Sequence, residues 1–364
     1  MSLASPAKLS AAPSIAIFRR SALGDVVLAA GAVAAIARAL PAARLTWFIA
    51  PAFRPALTGL PGVEFVDLPA VRGPASWWRV GQTIRVQGRF DVLLAMQAST
   101  RSHILYPFFR TKRRIGLPAT RGKEGHRWFI TESIAANPQP HLADEFGGFA
   151  RALGVAPCAE DWAWPPKADE AARAWLREQT GGRPFVVVHL ATSKPERDWP
   201  VARYAVLLQR LQKARPDVVP VLTGGASERE KGLAVTLLLA VPGALSVVGR
   251  TSFAQLFALC ECAVAIVSPD SAPVHIGAAY GTPVVGLYAV SRAAATGPFR
   301  QTAFTVDVYA EAMQFLKGKA SENTGWHERV HHPEAMRLIT VDAVWEKLRA
   351  AMEADGGAEI RHRQ

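Results

Sequence analysis

Short apolar runs alternate with amphipathic or small-residue stretches along nearly the whole chain. In the first half, Ile15–Phe18, Leu45–Ala50, Val63–Leu68 and Val92–Met96 read as strands. After the first of them, the turn Arg19-Arg20-Ser21-Ala22-Leu23-Gly24 leads to Asp25 and a helix running to about Leu40. The second half repeats the pattern more clearly. Phe185–His189, Val218–Thr223, Leu245–Val248, Ala263–Val267 and Val284–Leu287 read as strands, and 168–179, Val201–Ala214 and Ser271 to about Tyr280 as helices. Apolar strands without polar alternation, interleaved with helices, predict parallel sheets covered on both faces. No period of 20–50 residues recurs, which sets repeat arrays aside. The Pro- and Trp-containing stretch from Pro157 to Pro166 breaks the pattern. We therefore expect a loose tail at 1–13, one α/β domain at 14–166, a second at 167–355, and a loose tail at 356–364.

Half of the 364 residues are hydrophobic, enough for two cores. No apolar run is long enough to span a bilayer, and MSLASPAKLSAAPS lacks the apolar centre of a secretory signal. Cys158, Cys260 and Cys262 suit neither a zinc pair nor a disulfide framework, and they read as free thiols in a reducing cytoplasm. Net charge is +12, and residues 101–127 hold eight Lys/Arg against one acid, Glu124. Such a run is ordinarily a solvated surface, and no nucleic-acid motif accompanies it. An anionic partner of another kind, such as a phosphorylated sugar or an acidic lipid, fits the charge.

The stretch AIVSPDSAPVHIGAAYGTPVVGLY (265–288) carries the most chemistry. It reads strand, Ser-Pro-Asp turn, small-residue helix, Gly-Thr-Pro break, strand. A helix opening beside the carboxyl end of a parallel strand presents free N–H groups and a positive dipole end, which suit a diphosphate. His275 lies one turn in. No strand ends in Gly-x-Gly-x-x-Gly, so a dinucleotide-dependent dehydrogenase has no support. Asp25, at its helix start, reads from the residues alone as a cap, with a general base as the alternative. Arg19 and Arg20 precede the turn.

Three segments in order, SALGDVV (21–27), the loop ending in RDWP (197–200) and SPDSAPVHIGAAYGTPVVGLY (268–288), resemble glycosyltransferase family 9, the heptosyltransferases of lipopolysaccharide core synthesis. Weaker matches are LLAMQASTRS around Gln97, RRIGLP (113–118), HLADEFGGFARALG (141–154) and TGGASERE (223–230). The resemblance implies a GT-B type fold of two Rossmann-like domains facing across a cleft, with acceptor bound in the first and nucleotide-sugar donor in the second. It implies an inverting transfer of heptose from ADP-heptose to the Kdo or first heptose of the inner core. No metal and no cofactor beyond the donor are implied. By the same resemblance Asp25 is the catalytic base. Thr192, Ser193, Arg197, Glu228, Asp270, Ser271, Ala272 and His275 form the donor site, with Glu228 on the ribose and Asp270 either on hydroxyls of the donor sugar or capping its helix. Arg19, Arg20, Gln97, Arg113 and Arg114 face the acceptor. The chain has Arg197 where the family has Lys, Ala98 where it has Gly, and AVSRAAATGPF after the last strand where it has Gly-Pro-Thr-Asp-Pro. Transfer of another nucleotide-activated sugar, or binding of one without turnover, is therefore kept as an alternative. His327, His331 and His332 lie on what reads as a mobile insertion and are not taken as ligands. A lipid-linked acceptor places the chain at the cytoplasmic face of the inner membrane. The expected contact is the cluster of Arg110, Lys112, Arg113, Arg114, Arg121 and Lys123, with Trp77 and Trp78.

Overall fold

A computed structural model describes residues 9–122, 125–163 and 168–355. Lys123, the two outermost tail segments and residues 164–167 of the expected connection lie outside the described residues. The chain divides into two compact units, Met1–Pro166 and Lys167–Gln364.

The first unit runs β1 (Ser14–Phe18), α1 (Leu23–Ala39), β2 (Arg44–Ile49), β3 (Val63–Asp67), α2 (Pro74–Arg85), β4 (Val92–Ala95), α3 (Thr100–His103), β5 (Arg113–Gly116), β6 (Glu132–Ser133) and α4 (Leu142–Arg151). All six strands are parallel, in the order β3-β2-β1-β4-β5-β6. α1 is buried nearly all round, from Val26 through Ile36. Gly31 makes room there, because a Cβ would come within 2.5 Å of the Trp162 ring. One face of the sheet carries an aromatic core in which Phe18 meets Tyr106 edge-on at 5.1 Å and Phe48 meets Phe109 at 4.7 Å.

β5 and β6 were not foreseen. Arg113-Arg114 looks like solvated surface, yet the Arg113 guanidinium forks onto Glu132 of the neighbouring strand (Nε to Oε1 2.7 Å, Nη2 to Oε2 3.1 Å). Arg121 likewise forks onto the buried Glu145 of α4. Pairing of this kind lets charged residues enter a sheet edge.

The second unit contains α5 (Glu170–Thr180), β7 (Phe185–His189), α6 (Val201–Ala214), β8 (Val219–Thr223), α7 (Glu228–Ala240), β9 (Leu245–Ser246), α8 (Phe253–Cys262), β10 (Ala265–Pro269), α9 (Ala272–Tyr280), β11 (Val284–Tyr288), α10 (Ala293–Thr296), β12 (Val306–Asp307), α11 (Tyr309–Lys317) and α12 (Val341–Asp355). Its parallel sheet has the order β9-β8-β7-β10-β11-β12, the same winding as the first. In each sheet the order reverses beside the first strand, between β1 and β4 and between β7 and β10. Open α/β sheets bind ligands at the carboxyl ends of such strand pairs.

The expectation of a mobile insertion at 305–340 is corrected. Val330, Ala335, Met336 and Ile339 are buried in the second core, and Trp199 donates its Nε1–H to the Ile339 carbonyl at 3.1 Å. Apolar residues spaced among polar ones hid this packing. Cys260 is buried, while Cys158 and Cys262 are partly exposed; all three are free thiols.

Candidate active site

At the first switch point, β1 ends at Phe18 and β4 at Ala95, so Arg19, Arg20 and Gln97 emerge side by side. The Arg20 amide donates to Gln97 Oε1 at 2.8 Å. Arg19 donates Nη1–H to the Met96 carbonyl at 2.8 Å, lies 5.3 Å over the Phe146 ring, and ion-pairs with Asp25. Asp25 is the third residue of α1. The helix's own cap position, Ala22, makes no side-chain bond, so Asp25 is not a cap. Its Oδ2 is held by Arg19. Its side chain stays 33% exposed, open to solvent while the arginine beside it is only 12% exposed. Arg19, expected to meet the acceptor, here holds the candidate base.

Beside them lies an open cavity of about 730 Å³, lined by Arg20, Arg72, Gln97, Ser99, Thr100, Arg101 and Ser102 among others, with no acid among its lining residues. Burial lowers the Arg20 pKa from the ordinary arginine value, and the guanidinium is held by the Pro69 carbonyl at 2.6 Å. Three arginines and a row of hydroxyls suit carboxylates or phosphates. Neither Arg72 nor Arg101 stands out in the sequence: Arg72 belongs to no charge run, and Arg101 only opens the basic stretch 101–127, apart from its dense centre. Arg113 and Arg114 do not join the cavity. They start β5, paired with Val92 and Leu93 at the amino edge of the sheet, whereas the cavity sits at the carboxyl edge.

At the second switch point, the loop after β7 is cross-braced. The Thr192 amide donates to Asp198 Oδ1 at 2.7 Å, its hydroxyl donates to the Lys194 carbonyl at 2.7 Å, and Arg229 ion-pairs with Asp198. Arg197 reaches Asp270 at 3.3 Å, both largely buried. Asp270 Oδ2 also accepts from Ser291 Oγ at 2.8 Å and Thr296 Oγ1 at 3.4 Å. α9 begins beside Asp270. Ser271 makes no cap bond, its hydroxyl being paired with Ser268 Oγ at 2.8 Å. Ala272 opens the helix, and His275 is buried in its first turn. Ser193 is exposed on the loop. The structure thus gathers Thr192, Arg197, Asp270, Ser271, Ala272 and His275 at one sheet edge.

Glu228 is not drawn in; it is 89% exposed and pairs with Lys231 at 2.8 Å. Glu230 instead folds back onto the turn, accepting from the Gly225 amide at 2.7 Å and from Ser227. Burial acts to raise its pKa, but these bonds outweigh it and hold the pKa below the ordinary glutamate value. The Ser227-x-x-Glu230 capping spacing was the available signal. His189, at the end of β7, bonds Thr223 Oγ1 through Nδ1 at 3.1 Å, and burial pushes its pKa down to about 4. His331 pairs with Glu196 at 2.9 Å, and His332 accepts from the Glu334 amide at 3.1 Å.

A sequence profile described as glycosyltransferase family 9 (heptosyltransferase) matches residues 77–326. The lipopolysaccharide core heptosyltransferase OpsX of Haemophilus influenzae is 29% identical over 344 residues, covering 93% of this chain and 97% of that protein. The solved glycosyltransferase family 9 protein of Veillonella parvula superposes with a TM-score of 0.77 at 18% identity, over 95% of this chain and 99% of the other. The ADP-heptose lipopolysaccharide heptosyltransferase II of E. coli gives 0.73 at 21% identity, over 94% and 99%.

Proposed function

The chain belongs to glycosyltransferase family 9, and from that membership we propose that it moves heptose from ADP-heptose to the Kdo or first heptose of a lipid-linked inner core. The observation that supports this most is the convergence of Arg197, Asp270 and the start of α9 at the second switch point. In the proposed reaction an acceptor hydroxyl attacks the anomeric carbon. Asp25 takes its proton as the new C–O bond forms, and ADP departs with the electron pair of the broken bond. One displacement inverts the anomeric centre. A sugar hydroxyl is a poor nucleophile at neutral pH, which is why a positioned base matters. Negative charge grows on the departing diphosphate, where the Arg197 guanidinium, the α9 amides and His275 stabilise it more in the transition state than before it. Asp270 both orients Arg197 and offers an oxygen to a sugar hydroxyl. The arginine-lined cavity of the first unit is assigned to the acidic acceptor, with Arg20, Arg72 and Arg101 as the anion partners.

The test is calorimetric titration with ADP. Arg197→Met and His275→Ala should each weaken binding roughly 10- to 100-fold, the loss of one charge-assisted bond of about 1.5–3 kcal/mol. Unchanged affinity in both variants would place the diphosphate elsewhere.

The acceptor's lipid tail makes a membrane surface the proposed place of work, on its cytoplasmic side. Among the described residues no helix is long and apolar enough to cross a membrane.

A further inference from the structure

The segment after β11, where this chain reads Ala289-Val290-Ser291-Arg292-Ala293, touches the donor site directly through Ser291 and Thr296 on Asp270. Something must hold that segment, because its own helix, α10, is only four residues long. Arg292 lies between the two hydroxyl residues in sequence and is gripped by residues farther along the chain. Its Nη2 donates to the Ser321 carbonyl and to Thr324 Oγ1, the latter at 2.6 Å. Its guanidinium stacks 4.5 Å over Tyr309 and 5.3 Å over Trp326. The stretch 318–330 is fastened in turn, with Tyr309 Oη donating to the Glu328 carbonyl at 3.0 Å and the Val330 amide to Val290 O at 2.9 Å.

The consequence falls on one atom. Asp270 Oδ2 takes Arg197, Ser291 and Thr296, while no described residue donates to Oδ1. A carboxylate fixed in this way presents a single free acceptor in a single direction. A loop that relaxed would let the carboxylate rotate and lose that direction.

We infer that Arg292 is a positioning residue for sugar selectivity: with 318–330 as its brace, it holds Ser291 and Thr296 on Asp270 so that Oδ1 is left for one hydroxyl of the transferred sugar. This rests on the donor reading above and extends it to the sugar ring. The diphosphate partners, Arg197 and the α9 amides, make no contact with Arg292; when the loop hydroxyls let go, the ion pair keeps Asp270 Oδ2 on Arg197 and the carboxylate turns about it, so nucleotide affinity is not expected to depend on Arg292.

The experiment compares wild type with Arg292→Met, Arg292→Lys, Thr324→Val and the Arg292→Met/Thr324→Val pair. In Arg292→Met the KM for ADP-heptose should rise about tenfold, near the 1.4 kcal/mol that a lost oriented bond represents. The dissociation constant for ADP should stay within about twofold of wild type on the same scale. The preference in kcat/KM for ADP-heptose over an ADP-hexose of the same ring configuration should shrink. Lys should restore part of it, since a single ammonium cannot both fork and stack. Thr324→Val should do less, and the pair no more than Arg292→Met alone, the mark of one shared interaction. Unchanged KM and preference, a parallel loss of ADP affinity, or additive variants would each overturn the inference. Amide exchange read without substrate separates it from the donor reading. Segments 289–297 and 318–328 should loosen together in Arg292→Met, and no loosening there would refute the brace whatever sugar the enzyme uses.

Discussion

Asp25 shows how one side chain acquires a role from its neighbours. The residues alone allow a helix cap, but the helix starts two residues before Asp25, and Arg19 from the end of β1 fixes its Oδ2. A carboxylate aimed this way, still one-third exposed, is placed to accept a proton rather than to close a helix. Asp25→Asn keeps the shape and removes the base. Turnover should then fall about 10²- to 10⁴-fold, while ADP binding by calorimetry is unaltered. Near-normal turnover in this variant would return Asp25 to a structural part. Glu228 and Glu230 teach the complementary lesson. Two acids separated by one residue on the same helix look alike in sequence; the Ser227 cap decides which one turns onto the loop.

At the scale of elements, strands buried on both faces were plainly legible, since uninterrupted apolar runs have little other use in a chain of this polarity. The switch-point sites followed from them. β5 and β6 were not legible, because their fitness for the sheet depends on the Arg113–Glu132 pair, whose members stand 19 residues apart. The helix and loop that flank β5 are tied by a second long-range device. The Leu117 amide donates to His126 Nε2 at 3.0 Å, so Nδ1 carries the proton and donates to His103 of α3 at 3.0 Å. Tyr106 lies against both rings. Burial, helped by the neighbouring His103, lowers the His126 pKa from 6.5 to about 4. The unfolded chain takes up a proton as pH drops below 6.5, and the folded one resists until about 4. Stability is therefore complete above that upper limit and declines through the window, by about 1.4 kcal/mol per pH unit for each such ring. His189 adds a second ring with the same sign. Urea unfolding at several pH values between 7.5 and 4.5 measures this slope, and His126→Gln should flatten it by about one proton. A pH-independent midpoint across the range would show that neither ring is held neutral.

Charge is distributed unevenly over the molecule. Residues 69–131 carry twelve Lys/Arg against two acids, Asp91 and Glu124, and so account for ten of the chain's twelve net positive charges. Within the cluster read from sequence, Arg113 and Arg121 are committed to Glu132 and Glu145, while Arg110 and Lys112 are exposed. Reversing Arg113 would break a sheet edge rather than probe a surface. Trp78 on α2 is 62% exposed and edges onto Phe108, and Trp128 is 76% exposed beside Arg127. Arg79 and Arg127, next to these rings in sequence, are exposed as well. Indoles flanked by guanidiniums that form no ion pair among the described residues suit the interface of an acidic leaflet, where each cation contributes about 1 kcal/mol and salt screens it. Wild type should sediment with anionic vesicles at low salt, release at high salt, and bind neutral vesicles poorly. Trp78→Ser/Trp128→Ser and Arg79→Gln/Arg127→Gln should each weaken that binding about tenfold or more, since two such contacts are removed at once. Both should raise the KM for a lipid-linked acceptor and leave ADP affinity unchanged. Equal binding to neutral and anionic vesicles would remove the electrostatic half of the argument. An intact KM in both double variants would show that the acceptor reaches the first unit without this surface.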